Sequence, residues 1–468
     1  MAKITFLGGV GSVTGSKYLL ESNGKKILVD CGLFQGEKEL RERNWQDPKE
    51  FDPKELDAII ITHAHIDHTG FLPRVVKLGF RGTVFTSRAT ADLMKILLLD
   101  SARLQDEEAA YRNRHDLTSH HPALPLYDES DARDTFELLK GIPNTGEEVE
   151  VCDGIKASFR VAGHIIGASQ VLVEMENARE NGESIKFLFS GDLGHYDQPI
   201  LNDPAPPPAC DYLMCESTYG DRLHDEVTSD VKFAEIINAA YKRNAPILIP
   251  AFAVGRTQEI LYMIRELEDD KRIPSMPVIV DSPMASQATQ IYNRFSEEHD
   301  EEYASILAKK IHPLKPDWMQ TASTREESKR LNDMKGARII ISASGMLTGG
   351  RVMHHAMRIL PNENATIIFV GYQAAGTVGR RIQNGEKEVR IMKNWIPVHC
   401  HVERVESFSA HADWKAVLRW LHGLPNAPKA VFTTHGEPEA AEAMAGHIRE
   451  EFGWKVVVPQ FEQTIELE

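Results

Sequence analysis

Hydrophobic and polar positions alternate through the first sixty residues. Ile4-Thr5-Phe6-Leu7, Tyr18-Leu19-Leu20-Glu21 and Ile27-Leu28-Val29-Asp30 each read as a short strand. Ser22-Asn23-Gly24, between the last two, reads as a hairpin turn. Ala58 to Ile61 is an uninterrupted apolar run, the pattern of a buried strand. Phe71 to Leu78 then carries apolar residues at helical spacing, so a strand delivers a tight loop and a helix leaves it. Residues 84–140 read as mostly helical, with a polar break from His115 to Pro125. His120 and His121, in that break, have no partner spacing and read as loop residues. Strand patterns return at Val149-Glu150-Val151, Lys156 to Val161, Gln170 to Met175 and Ile185 to Ser190. Tyr212 to Glu216 is one more, beyond the proline-rich stretch Pro204 to Pro208.

From about 228 the period changes. Helical patterns at 228–244, Arg256 to Asp270, 285–298, 351–359 and Thr377 to Gln383 alternate with apolar runs at Pro246 to Pro250, Val278 to Asp281, Arg338 to Ser342 and Ile367 to Val370. Strands that alternate with helices imply a parallel sheet covered on both faces. We therefore expect a separate α/β domain over 209–390, between a first domain at 1–208 and a stretch at 391–468 where the first texture resumes. That last stretch has strands over Val398 to Phe408, a helix to Leu421, the strand Ala430 to Thr434 and a helix at 438–451.

Candidate chemistry is densest after the buried run at 58–61. His63, His65, Asp67 and His68 fall within six residues there. A histidine-rich loop by itself is an ordinary solvated turn. Four donors placed directly after a buried strand are better explained as metal ligands, and imidazole with carboxylate and no thiolate suits zinc held for chemistry. His164 follows a strand among small residues, Asp192 ends an apolar strand beside Gly191, and Asp30 ends one just before Cys31-Gly32. Gly8 to Gly15 is glycine-rich, but a strand follows it where a dinucleotide fingerprint needs a helix, so it reads as a flexible loop.

Composition sets outer limits. With 468 residues and 42% hydrophobic content, the chain can bury the cores of two or three domains. No apolar run is long enough to span a bilayer, so no membrane partner is expected, and MAKITFLGG enters a strand without a leader pattern. The cytoplasm is the expected location. The five cysteines, scattered and without a CxxC, read as small buried hydrophobes. A net charge of −16 works against nucleic-acid binding unless cations cluster locally and bound metals offset some carboxylates.

The string HAHIDH resembles the HxHxDH signature of the metallo-β-lactamase superfamily. Flavodiiron members carry Glu where this chain has His65, which favours a hydrolytic dizinc site over a redox di-iron one. GHIIGAS and FSGDLG resemble the third and fourth motifs of that superfamily. ESTYG, SFSAHAD and THGE resemble the three added motifs of its β-CASP branch, in which PAFAVGRTQE and SASGML are also typical. The resemblance covers essentially the whole chain. It implies an αββα sandwich interrupted by an inserted α/β parallel-sheet domain.

For the site, the resemblance implies two Zn2+ ions, with Mn2+ as an alternative. His63, His65 and His164 would hold one, Asp67, His68 and His435 the other, with Asp192 bridging. The first four follow from spacing; His164, Asp192 and His435 are carried from the motifs. Asp30 would fix the ligand loop. A metal-bridging hydroxide would attack phosphorus, with Asp67 in the catalytic group and His411 the general acid held by Glu216, leaving 5′-phosphate and 3′-hydroxyl ends. Arg256, Arg351, Arg380 and Arg381 lie at or near helix starts, and Ser344-Gly345 follows a strand, all suited to phosphate. A cleft between domains would admit single-stranded RNA and exclude a duplex. The expected activity is thus endoribonuclease, open to a 5′-exonuclease mode and to a homodimer. The competing readings are a small-molecule hydrolase of thioesters, lactones or β-lactams, which an inserted domain disfavours, and a non-catalytic RNA-binding subunit, which a complete ligand set disfavours.

Overall fold

The computed structural model describes residues 2–118, 121–224, 229–309, 311–371, 373, 376–405 and 410–468. His120 and Ser407-Phe408-Ser409 of the SFSAHAD string lie outside the described residues. The chain forms two compact units. The first comprises Met1–Gln198, Asn202–Leu223 and His411–Glu468; the second comprises Pro199–Leu201 and His224–Ala410.

In the first unit, β1 (Ala2–Gly8), β2 (Lys17–Ser22), β3 (Lys25–Val29), β4 (Ala58–Ile60), β5 (Thr83–Ser87) and β6 (Leu139–Ile142) lie side by side in that order, with the C-terminal strand Thr464–Leu467 outside β1. The β2–β3 turn places Asn23 at φ 49 and Gly24 at φ 78, the pair of left-handed residues that a two-residue hairpin requires. A second seven-stranded sheet runs β7 (Thr145–Cys152), β8 (Ile155–Val161), β9 (Ser169–Met175), β10 (Ile185–Phe189) and β11 (Tyr212–Glu216), then Ala430–Thr434 and Val456–Val457. The two sheets share one core. Ile4, Phe6, Leu20, Val29 and Ile60 of the first meet Phe159, Val171, Phe187, Phe189 and Phe432 of the second. Phe187 and Phe432 stack at 5.8 Å, an aromatic pair of a kind that adds about 1 kcal/mol beyond area burial.

One local reading changes. The run expected to begin as helix at 84 is first β5, and its last residue, Ser87, caps the helix Arg88–Arg114 by accepting from Thr90 N. Strand and helix abut with no spacer, so their patterns merge in the sequence. His121 is exposed in the polar break, the loop position its lack of partner spacing suggested. The domain seams also move. β11 pairs in parallel with β10 and with Ala430–Thr434, so the first unit continues to Leu223, past the expected seam at 209. At the other end, His401–Val405 pairs with Thr366–Val370 of the second unit, so that seam falls at His411 and not at 391.

The second unit is built on a six-stranded parallel sheet of β12 (Pro246–Pro250), β13 (Val278–Val280), β14 (Met319–Thr321), β15 (Arg338–Ser342), β16 (Thr366–Val370) and His401–Val405, ordered β14-β13-β15-β12-β16 and then His401–Val405. Ile260, Leu261 and Ile264 of the helix after β12 pack on one face of the sheet. Val352, Met353 and Ala356 of the helix after β15 pack on the other. β12 and β15 are neighbours whose helices leave in opposite directions, so a topological switch point lies between their carboxyl ends. Among the described residues, no helix is long and apolar enough to cross a membrane.

Candidate metal centre and active site

Every loop that carries one of the seven anticipated ligands leaves the carboxyl end of a strand in the first unit. After β4, residues 62–65 lead into the short helix Ile66–Thr69. The segments before β2 and after β3 fasten this loop. Cys31 N donates to the His68 carbonyl at 2.8 Å, Leu33 N to that of Ile66 at 3.0 Å and Ser16 N to that of Asp67 at 2.9 Å. Gly32 lies so close that a Cβ on it would sit 1.6 Å from the Asp67 carbonyl oxygen. Asp30, at φ 58, turns its buried carboxylate under the loop. It accepts from Thr62 N at 2.8 Å and from Thr62 Oγ1 at 2.9–3.0 Å, and it takes His68 Nδ1 at 2.8 Å. A carboxylate on the far nitrogen of a histidine fixes its tautomer and aims the other nitrogen, the usual support of a metal-ligating imidazole.

His164 is brought in by the turn after β8, Asp192 by the turn after β10, and His435 by the end of Ala430–Thr434. His435 adopts φ 51, strained for a side chain of that size, and its N–H donates to Gly9 at 2.6 Å. The glycine-rich loop is therefore no loose linker. It closes on itself through Gly9 N to the Thr14 carbonyl and presses against the site, where Ser16 Oγ lies 3.5 Å from His68 Nε2.

The seven side chains anticipated as ligands gather into two groups. His63, His65, His164 and Asp192 form one and Asp67, His68 and His435 another, with ligand atoms in each group within 4.8 Å of one another. His65 Nδ1 lies 3.1 Å from both His63 Nε2 and His164 Nε2. His68 Nε2 and His435 Nε2 are 3.2 Å apart, and Asp67 Oδ2 is 3.4 Å from His435 Nε2. Donors bound to one tetrahedral zinc at ~2.0–2.1 Å are ~3.3 Å apart, so both groups suit a shared cation. Asp192 spans them, with Oδ2 at 3.4 Å from His63 Nε2 and Oδ1 at 3.4 Å from His68 Nε2. Its Oδ1 is buried and, among the described residues, accepts no hydrogen bond, which suits an oxygen facing a cation.

Crowded imidazoles divide by their neighbours. Burial, reinforced by the surrounding histidines, holds His63 well below its usual pKa. Burial likewise brings His65 down to about 4, against the pull of Asp67. For His68, burial is outweighed by Asp192 and Asp30, which push it up to about 10. Burial would raise Asp67, but its bond to His435 and the charge of His68 hold it well below the usual carboxylate range.

Beside the two groups sits His411. Its Nδ1 lies 3.1 Å from Glu216 Oε2 and 3.8 Å from Asp192 Oδ2, and its ring centre is 4.3 Å from that of His164. Glu216, at the end of β11, is buried and also accepts from Thr218 Oγ1 at 2.7 Å and from Leu193 N. Thr218 was legible only as part of ESTYG, yet its Oγ1 also lies 3.0 Å from the His435 carbonyl and so links the acid pair to the ligand loop.

The residues expected to grip phosphate lie in the second unit. Arg256 and Arg351 open the helices that follow β12 and β15, and Ser344 and Gly345 lie in the loop after β15, at the switch point. Arg351 is already committed, with Nη1 on Asp281 at 2.8 Å and on the Ala322 carbonyl and Nη2 on the Ser323 carbonyl. Arg256 is buried and pairs with Glu259 at 2.6 Å. Arg381 pairs with Glu386. Arg380 is exposed.

A chain of this architecture, with a dinuclear-type His/Asp centre at the mouth of a two-sheet sandwich, defines a metallo-hydrolase of the metallo-β-lactamase kind. Family models agree: residues 11–83 match the metallo-beta-lactamase superfamily, 257–382 the Beta-Casp domain, and 395–459 the Zn-dependent metallo-hydrolase RNA specificity domain. The chain is 35% identical to Ribonuclease TTHA0252 of Thermus thermophilus over 94% of this chain and 95% of that one. It is 30% identical to transcription termination factor FttA of Cenarchaeum symbiosum over 99% of this chain and 70% of that one. A crystal structure of a protein of unknown function from Enterococcus faecalis shares the fold, with TM-score 0.55 and 14% identity over the full length of both chains. The chain belongs to the metallo-β-lactamase superfamily, in its β-CASP branch.

Proposed function

We propose that this protein is a zinc-dependent endoribonuclease that cuts single-stranded RNA in the cytoplasm, leaving 5′-phosphate and 3′-hydroxyl ends. One observation carries the reading: seven imidazole and carboxylate donors form two groups, with Asp192 reaching from one to the other, beside His411 paired with the buried Glu216. The relatives' names and the RNA specificity match support RNA as the substrate, and the small-molecule hydrolase reading is set aside on that ground. His63, His65 and His164 would hold one zinc and Asp67, His68 and His435 the other, with Asp192 between; the histidine-rich set favours zinc over manganese. Such a pair supplies a water acidic enough to attack at neutral pH and a Lewis-acid clamp on the phosphoryl oxygens.

The chain's own residues do the rest. Asp30 holds His68 in one tautomer, and Asp67 stays ionised beside His435. Burial would lower the His411 pKa, but Glu216 and Asp192 raise it to about 9, so the ring is protonated at neutral pH. Its Nδ1–H is given to Glu216, so the proton for the departing 3′-oxygen is carried at Nε2. Ser344, Gly345 and Arg380 on the second unit are the proposed phosphate contacts; Arg256 and Arg351 serve by shaping those loops. The test is cleavage of an end-labelled RNA. Chelation should abolish cutting, zinc should restore it, and the products should ligate as 5′-phosphates. Cutting by chelated His68→Ala protein would reject the reading.

A further inference from the structure

A second site stands apart from the metal centre, at the amino edge of the six-stranded sheet. A cavity of 390 Å³ opens there, beneath the starts of β12 and β15, within the size range of small-molecule sites. Four cations line it: Arg243, Lys335, Arg338 and Arg358. Among the described residues no carboxylate lines it, in a chain whose net charge is −16. Asp333 and Glu363 flank lining positions without joining them. Asp281, reached through His355, is already bonded to Arg351 and Ser328.

Among the described residues none of the four cations has an ion-pair partner. Arg243 donates to the Asn364 carbonyl at 3.0 Å and to Thr366 Oγ1 at 2.8 Å, both neutral. Arg338 is the telling one. It is only 7% exposed, its Nη1 reaches the Gly336 carbonyl at 2.9 Å, and its Nε is buried without a partner. A guanidinium desolvated to that degree and left uncompensated is a costly feature that an anion would relieve. The plainer account is that these cations answer helix carboxyl ends, since the helices Ser229–Lys242 and Arg351–Ile359 both terminate here. Two such ends supply about −0.5 charge each, against four formal positive charges, so most of the excess is unanswered.

We propose that this cavity binds a phosphorylated small molecule of the nucleoside-phosphate class. The cations take the phosphates, and the side-chain amides of Asn332 and Asn362, also in the lining, offer donors and acceptors to a base or sugar. The assignment does not depend on the metal centre or on its reaction. It is tested by calorimetric titration of the full zinc-loaded chain with ADP, with pyrophosphate and with adenosine. ADP and pyrophosphate should bind, adenosine at least tenfold more weakly than ADP. Arg338→Gln and Arg358→Glu should each weaken ADP at least fivefold and leave the rate of RNA cleavage without ADP unchanged. Arg358 is exposed, so R358E remains a fair test if R338Q does not fold. ADP binding equal in wild type and both variants would place the ligand at the metal centre and overturn the proposal. No binding of either phosphate would also overturn it, as would binding of an RNA strand, but not ADP, that R358E abolishes.

Discussion

Replacing Glu216 with Gln isolates what its charge does for His411. Gln keeps the shape: its oxygen can still accept from Leu193 N, and its NH2 can donate to Thr218 Oγ1, whose own proton can turn to the His435 carbonyl, so the loops should stay in place. What goes is a negative charge 3.1 Å from His411 Nδ1. That charge favours the proton on His411. Burial opposes it, and the net result in the native chain is a rise from 6.5 to about 9, a preference for the imidazolium of ~3 kcal/mol. Asp192 and Asp67 remain as attracting groups in the variant, with His164 and His435 as the facing imidazoles, so the His411 pKa should settle near its ordinary value of ~6.5. The protonated fraction at pH 8 then drops from ~0.9 to ~0.03, and kcat should fall ~30-fold, but less than twofold at pH 6. The assay is kcat for RNA cleavage from pH 5.5 to 9 in both proteins at matched zinc content. An equal loss at every pH would show that Glu216 acts only through structure. An unchanged kcat would remove His411 as the acid.

Two further outcomes follow from the packing of the ligand loop. In the metal-free chain the folded pKa of His68, about 10, lies above its unfolded value of 6.5, so the stability it confers is complete below pH ~6.5 and lost as pH rises through 10. The denaturant midpoint of metal-free protein should therefore fall between pH 8 and 10.5, less steeply in His68→Gln; a steeper fall in the variant would contradict the assignment. Gly32→Ala should drive the Asp67 carbonyl aside, costing ~1–3 kcal/mol and lowering bound zinc below two per chain, whereas Gly24→Ala, with nothing within 4 Å, should leave the zinc content intact. Equal zinc in both alanine variants would show that the close approach at Gly32 does not position the ligands.

The sequence made the strands and the donors legible for one reason: a strand buried on both faces is a plain apolar run, and whatever chemistry it delivers stands directly after it. His63, Asp192 and His435 could all be found that way. Contacts between loops far apart in the chain could not. Nothing in the pattern says that Thr62 bonds Asp30, that Thr218 joins Glu216 to His435, or that Gly9 holds His435. The glycine-rich loop looked slack because glycine licenses both slack loops and tight ones, and only its neighbours decide. Arg351 was legible as a cation at a helix start, but its acceptor Asp281 lies 70 positions away. Arg338 carried a signal that was passed over, a charge opening an otherwise apolar strand.

The central claim is that seven side chains gather two cations around Asp192. Anomalous diffraction at the zinc edge from crystals of active protein tests it most directly. Two peaks ~3.5–4 Å apart are expected, one beside His63, His65 and His164 and one beside Asp67, His68 and His435, with Asp192 between them. A single peak, or none, in crystals that cut RNA when dissolved would contradict it.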